Sequence, residues 1–184
     1  LLGVGAGVSC VGISLAWLIS LCEFPGRRTF EWALMLPLAI PGYVMAFVYL
    51  AVFNFAGPVQ TALRANFGSS AWFPDMQGIG AVILVFTLVL YPYVYMLARS
   101  AFLAQGRSLM DAARVLGLSP WSAFARVVIP VARPAIAAGV ALALMETLAD
   151  FGAVAVFNFD TFTTAIYDSW YGLFNQSVAA QLAS

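Results

Sequence analysis

What most limits this chain is a run of about twenty residues, Gly3 to Cys22, without a single charge. A helix rises 1.5 Å per residue, so a run of roughly this length crosses a hydrocarbon core about 30 Å thick. Comparable apolar runs recur at about 29–53, 78–97 and 135–157, and the start of a fifth lies near Ser177. Lipid offers no hydrogen bonds to the backbone, so runs of this kind fold as helices that satisfy their own amides. The expected fold is an all-α integral membrane protein, a polytopic helix bundle in which 1–184 form one transmembrane domain. Composition agrees: 63% of residues are hydrophobic and 9% charged, where a soluble domain carries about 25% charged residues. The chain begins without Met and stops at Ser184 inside what reads as a starting helix, so it is expected to be a piece of a longer protein with no leader to assign.

Several chemistries are excluded by what is missing. All eight positive charges are arginines and the net charge is +0, which gives no surface for nucleic acid. Without lysine there is no phosphate-binding loop, and Gly3, Gly5 and Gly7 open no strand–turn–helix unit. Without histidine there is neither a Ser-His-Asp nor a Cys-His arrangement, and the commonest transition-metal ligand is absent. No catalytic residue, metal site or bound cofactor is expected. Cys10 and Cys22 stand twelve positions apart in one helix, about 18 Å and far beyond disulfide reach, and read as packing residues.

The second run carries Pro37 and the pair Pro41-Gly42, which remove backbone bonds in mid-membrane and predict a kinked or broken helix. That break serves either packing or a pathway-lining hinge. Pro58 to Phe67 is expected to form a short surface helix ended by Gly68, followed by Trp72 and Phe73 at headgroup depth; the third run ends in an aromatic cluster, Tyr91 to Leu97, suited to the opposite interface. Gly3 and Gly7 have the spacing that lets helices approach closely. Seven of the eight arginines fall in the connections after the first and third runs, while only Arg64 falls between the second and third. The positive-inside rule then puts the first group in the cytoplasm and Trp72 and Trp170 outside.

The stretch from Arg107 to Pro134, RSLMDAARVLGLSPWSAFARVVIPVARP, is short and amphipathic, unlike its surroundings. Ser108 and Asp111 have capping-box spacing and predict a helix start. Leu109, Ala112, Ala113 and Leu116 share one side, and Gly117 offers a left-handed stop. Ser119 and Pro120 read as cap and first residue of a second helix with Trp121, Phe124 and Val128 on one face, closed by Pro130 and Pro134. Two short helices joined by a glycine elbow are too short to span and too apolar to be a free loop, so the element either docks on a partner or rides the membrane interface.

The series Asp111, Ala112, Ala113, then Gly117, then Ile129 and Pro130 resembles the cytoplasmic "EAA" loop of permease subunits in ATP-binding-cassette importers, with Asp in place of Glu. The stretches LPLAIPGYVMAFVYL, LVLYPYVYMLARSAF, LMETLADFGAV and DTFTTAIYDSWYGL extend the resemblance to the first half of bacterial ferric-iron permeases. The resemblance implies that Ser108, Asp111, Ala112, Ala113, Leu116, Gly117 and Trp121 form a coupling helix for a cytoplasmic ATP-binding subunit dimer, which would use the ATP and Mg. It also implies a periplasmic or extracellular solute-binding protein, a second permease half on the same full-length chain, and a multi-pass place in the bacterial inner membrane. A sister permease for thiamine or another small solute, and a secondary transporter or membrane scaffold, are the alternatives.

Glu146 and Asp150 stand four apart near the middle of the fourth run, with Thr147 beside them. Carboxylates at that depth are expensive, and they either line the translocation pathway with Pro41 and Gly42 or bond neighbouring helices together. An intramembrane acid protease needs two carboxylates from separate segments, so a pair on one helix does not suit it.

Overall fold

A computed structural model describes residues 1–68, 78–158 and 160–183. All regular structure among them is helical. Trp72 and Phe73 lie outside the described residues. Among the described residues four helical stretches are long and apolar enough to cross a membrane: Leu2–Leu21, Gly42–Phe67, Ile79–Ala104 and Pro120–Ala149. In chain order the helices are α1 (Leu2–Leu21), α2 (Arg27–Ala33), α3 (Gly42–Phe53), α4 (Pro58–Phe67), α5 (Ile79–Ala101), α6 (Arg107–Val115), α7 (Pro120–Ala123), α8 (Ile129–Ala149), α9 (Gly152–Val156), α10 (Phe162–Tyr167) and α11 (Gln176–Ala183).

The chain divides into two compact units, one built from Leu1–Ala39 with Thr87–Met145, the other from Ile40–Phe86 with Glu146–Ser184. In the first, α1 and the later part of α5 run in the same sense, Gly7 lying against Thr87 and Gly12 against Val94 and Tyr95. A Cβ on Gly12 would stand 2.7 Å from the Val94 Cβ, and one on Gly139 of α8 would stand 2.8 Å from the Val94 Cα. Small residues on α1 and α8 thus bring both backbones onto α5, which is how helices pack where lipid removes the hydrophobic drive between them. Val94 and Tyr95 are fully buried there.

Two tyrosines of the aromatic cluster on α5 turn into the bundle. Tyr91 and Tyr95 are buried, and their hydroxyls donate to the carbonyls of Leu34 and Glu31, each at 2.9 Å. Arg99 pairs with the Glu31 carboxylate one turn further on. These three bonds fasten α2 to α5, and two of them use carbonyls near the end of α2, where the helix leaves them without partners.

The run expected at 29–53 is broken, as its prolines require. Helix α2 stops at Ala33, a tight 3₁₀ turn spans Leu36–Ala39, and α3 starts at Gly42 behind Pro41. Proline lacks the N–H that would continue the first helix, and it suits the entry to the next. In the second unit α3 packs on α9 through Ala46 and Ala153, both fully buried, while Tyr49 meets Phe157 at 6.1 Å between ring centroids. After an extended turn at Asn54, α4 carries Pro58 in its first turn and ends at Gly68 with φ of 71°. Arg64 lies over the Phe55 ring at 4.1 Å and donates to the Phe55 carbonyl at 2.8 Å, which ties α4 to that turn.

Two boundaries differ from the sequence expectation. Helix α8 ends at Ala149 rather than continuing to Phe157, so the apolar run expected at 135–157 contains a break at Asp150 and Phe151. The short second helix expected to close at Pro130 and Pro134 instead runs on, Pro120–Ala149 forming one helical stretch. Pro134 lies inside α8, and Pro130 follows a π turn at Phe124–Val128, in which the Ile129 amide already bonds to the Phe124 carbonyl five residues back. The α-type bond that Pro130 would remove is therefore not missed.

Candidate functional site

Helix α5 passes through a π turn at Phe102–Gly106 directly into α6. Ser108 is consequently the second residue of α6 and does not begin a helix, which corrects the capping-box expectation for Ser108 and Asp111. No proline interrupts 99–109, and the single Gly106 falls in the wider π turn. Met110 and Ala113 form the buried side of α6. Asp111, Ala112 and Leu116 are exposed, so Ala112 and Leu116 do not share the inner face with Ala113 as their spacing suggests.

Gly117 ends α6 with φ of 80°. The Leu118 amide donates to the Ala113 carbonyl at 3.0 Å and the Gly117 amide to the Arg114 carbonyl at 2.9 Å, the paired bonds of a Schellman turn. Two residues later Ser119 caps α7, its hydroxyl accepting from the Ser122 amide at 3.3 Å, with Pro120 in the first turn. Phe124 and Val128 point inward, whereas Trp121 is 67% exposed. With Val115 at 88% and Leu116 at 81%, Trp121 makes an apolar tip on the elbow. Arg114 and Arg126 are exposed on the flanking helical turns. An apolar tip with positive charge around it is an anchor for a partner groove or for a lipid surface, and it has no chemistry of its own.

The elbow has a floor that its own sequence does not contain. Trp17 of α1 meets Trp121 edge-on at 6.2 Å between centroids and Phe124 at 5.7 Å, and Phe124 also meets Phe102 at 5.6 Å. The signal that could have found Trp17 is weak: a lone tryptophan one turn from the end of an apolar run.

The other candidate residues come together in the second unit, at the two breaks. Asp150 stands in the gap after α8, not in mid-helix. Its Oδ1 accepts from the Ala153 amide at 2.7 Å, and the Thr163 hydroxyl donates to its carbonyl at 3.1 Å. Its other carboxylate oxygen would lie 3.0 Å from a Cβ placed on Gly42. The carboxylate therefore lies at the first turn of both α3 and α9, where free amides favour negative charge. Pro41 precedes that turn and is exposed. Behind it Gly152 lies so close to Tyr43 that an added Cβ would stand 2.8 Å from the Tyr43 Cβ. Glu146 is exposed and Thr147 half-buried, one turn earlier on α8. Among the described residues no group of three or more His, Cys, Asp or Glu side chains is placed to hold a metal ion.

Residues 9–183 match the family model described as the binding-protein-dependent transport system inner membrane component. The chain is 30% identical over 181 residues to the Fe(3+)-transport system permease protein FbpB 2 of Haemophilus influenzae, covering 98% of this chain and 32% of that protein. It is 35% identical over 146 residues to the sulfate transport system permease protein CysW of Escherichia coli K12, covering 79% of this chain and 48% of that one. With the molybdenum transport system permease protein ModB of the same strain it shares 32% over 146 residues, 79% of this chain and 62% of that one. The chain thus spans between about a third and three fifths of the length of these relatives. With four helical stretches able to cross a bilayer and a family match over nearly its whole length, the chain is a multi-pass inner-membrane protein and belongs to the binding-protein-dependent transport system inner membrane components.

Proposed function

We propose that this chain is the first half of the permease of an ATP-driven importer, and that the α6–α7 elbow is where a cytoplasmic ATP-binding subunit docks. The observation that carries the reading is the apolar tip formed by Val115, Leu116 and Trp121 on an element whose other side is seated on its own bundle. Asp111, Ala112, Ala113 and Gly117 supply the matched motif positions, with Asp111 and Ala112 exposed beside the tip. The arginine distribution supports a cytoplasmic elbow, and hence access to nucleotide. ATP and Mg belong to the partner dimer, whose closure pushes the elbow while the bundle alternates its access; solute arrives from a binding protein on the outer side, and a second permease half on the same full-length chain completes the route.

For the solute the reading is ferric iron. The iron relative aligns with 98% of this chain, against 79% for the sulfate and molybdenum relatives. The carboxylate of Asp150 at the paired breaks, with Glu146 one turn away, suits a cationic cargo better than an anionic one. Pro41, Gly42, Thr147, Glu146 and Asp150 are the proposed pathway set. An oxyanion is the second reading, favoured by the 35% and 32% identities to sulfate and molybdenum permeases. Full-length permease, ATPase and cognate binding protein in liposomes separate the two. Ferric iron should stimulate ATP hydrolysis and enter the vesicles; stimulation by sulfate or molybdate alone would replace iron with an oxyanion, and stimulation by neither would remove both.

A further inference from the structure

The elbow is joined to its two long helices by π turns on both sides, Phe102–Gly106 before α6 and Phe124–Val128 after α7. The first residue of each is a buried aromatic, and these two rings touch, Phe102 to Phe124 at 5.6 Å. A π turn bonds five residues apart and is a point where a helix bends. The two connectors therefore fix the path of the chain and leave the tilt of the elbow to packing. Trp17 supplies that packing from α1: edge-on to Trp121 with an interplanar angle of 87°, and tilted at 45° on Phe124. Trp121 itself touches Phe124 at 5.9 Å, so three rings close on one another with the α1 ring as the member from outside the elbow. Edge-to-face pairs are directional, and a displaced Trp121 loses its partner rather than sliding to an equivalent place. Helix α1 is in turn held to α5 at Gly7 and Gly12, where added methyl groups would collide with Thr87 and Val94.

We infer that Trp17 is a positioning residue for the elbow: it sets the tilt of Trp121 and carries any movement of the elbow into α1. This rests on the elbow being the ATPase docking element. Of the tip, Trp121 leans on Trp17, whereas Val115 and Leu116, its most exposed members, stay on α6 when Trp17 is lost, so docking and transmission should separate.

The test uses full-length permease with its ATPase subunit and binding protein, in Trp17→Ala, Trp17→Leu and Trp17→Phe variants. Trp17→Ala and Trp17→Leu should keep membrane abundance and ATPase retention, while solute moved per ATP hydrolysed falls about tenfold, the scale of losing two ring contacts. Trp17→Phe, which keeps a ring, should recover most of it. Spin labels at Ser14 and Ala112, with Cys10 and Cys22 replaced by serine, should give one sharp distance in the parent and in Trp17→Phe and a broadened one in the Ala and Leu variants. Parent-like coupling and distance in Trp17→Leu would overturn the inference, as would a loss that tracks abundance alone and that Phe does not restore. Leu116→Asp tests the docking reading separately. If it retains the ATPase, docking at the elbow fails, while the distance measurement, made on the permease without its partner, still decides the role of Trp17.

Discussion

Replacing Gly117 puts the elbow to its sharpest test, because the structure isolates the cost to the backbone. Among the described residues nothing lies within 4 Å of a Cβ built there, so none of their side chains obstructs a larger residue. What opposes it is φ of 80°, held by the bonds from Leu118 to Ala113 and from Gly117 to Arg114. Alanine in that conformation costs about 1 kcal/mol, a roughly fivefold loss of the properly turned elbow. Valine, β-branched, costs about 2 kcal/mol or more, roughly thirtyfold. Asparagine, which tolerates left-handed backbone, should lose least. The membrane spans do not depend on this turn, so abundance in the membrane should stay level across the series. ATPase retained on the solubilised complex, and transport, should fall in the order Gly, Asn, Ala, Val. A flat series, with full retention and transport in Gly117→Val, would refute the docking role of the turn; falling abundance with unchanged retention would make the turn a packing element.

Asp150→Asn keeps an oxygen for the Ala153 amide but removes the charge shared by two helix starts, so assembly should persist at a cost of about 0.5 kcal/mol while transport drops; equal transport would remove Asp150 from the pathway, and collapse of the complex would make it a fastening. Gly152→Ala should lower the melting temperature, since its methyl meets the Tyr43 Cβ at 2.8 Å, an overpacking cost of about 1–3 kcal/mol; an unchanged melting curve would mean that the α3–α9 contact is looser than described. Tyr95→Phe should cost about 1 kcal/mol by leaving the Glu31 carbonyl without its donor, and a double-mutant cycle of Glu31→Gln with Arg99→Gln should show coupling across their ion pair, none being expected if α2 is held by lipid alone. A cysteine at Val115 should react only with a cytoplasmic thiol reagent and one at Asn66 only from outside, with labelling of both from one side contradicting the arginine-based orientation.

The helical character of the spans was legible because it depends only on local apolar length, and so was the break before α3, because Pro37 and Pro41 act on their own backbone. Gly117 and the Ser119-Pro120 pair were legible for the same reason: turn and cap chemistry is local. Ser108 misled because a cap requires the preceding residue to leave the helix, and the π turn at Phe102–Gly106 keeps it in. Pro130 misled because a second π turn had already changed the bonding upstream, while Pro134 sits inside α8 without ending it. Asp150 could not be read as a cap, since the apolar run continues past it to Phe157 and Gly152 alone does not announce a break. The roles of Tyr91, Tyr95 and Trp17 depend on partners far along the chain, Leu34, Glu31 and Trp121, which no local pattern reveals.

The docking of a nucleotide-hydrolysing partner on the elbow is tested most directly by a photo-reactive amino acid placed at Leu116, the 81% exposed residue of the tip. In cells expressing the full-length permease with its ATPase, irradiation should yield one covalent adduct, of the size of permease plus ATPase subunit, and the same probe at Leu84 on α5 should not. Adducts to lipid alone at position 116, with the ATPase still bound to the complex, would show that the elbow lies on the membrane and that the partner docks elsewhere.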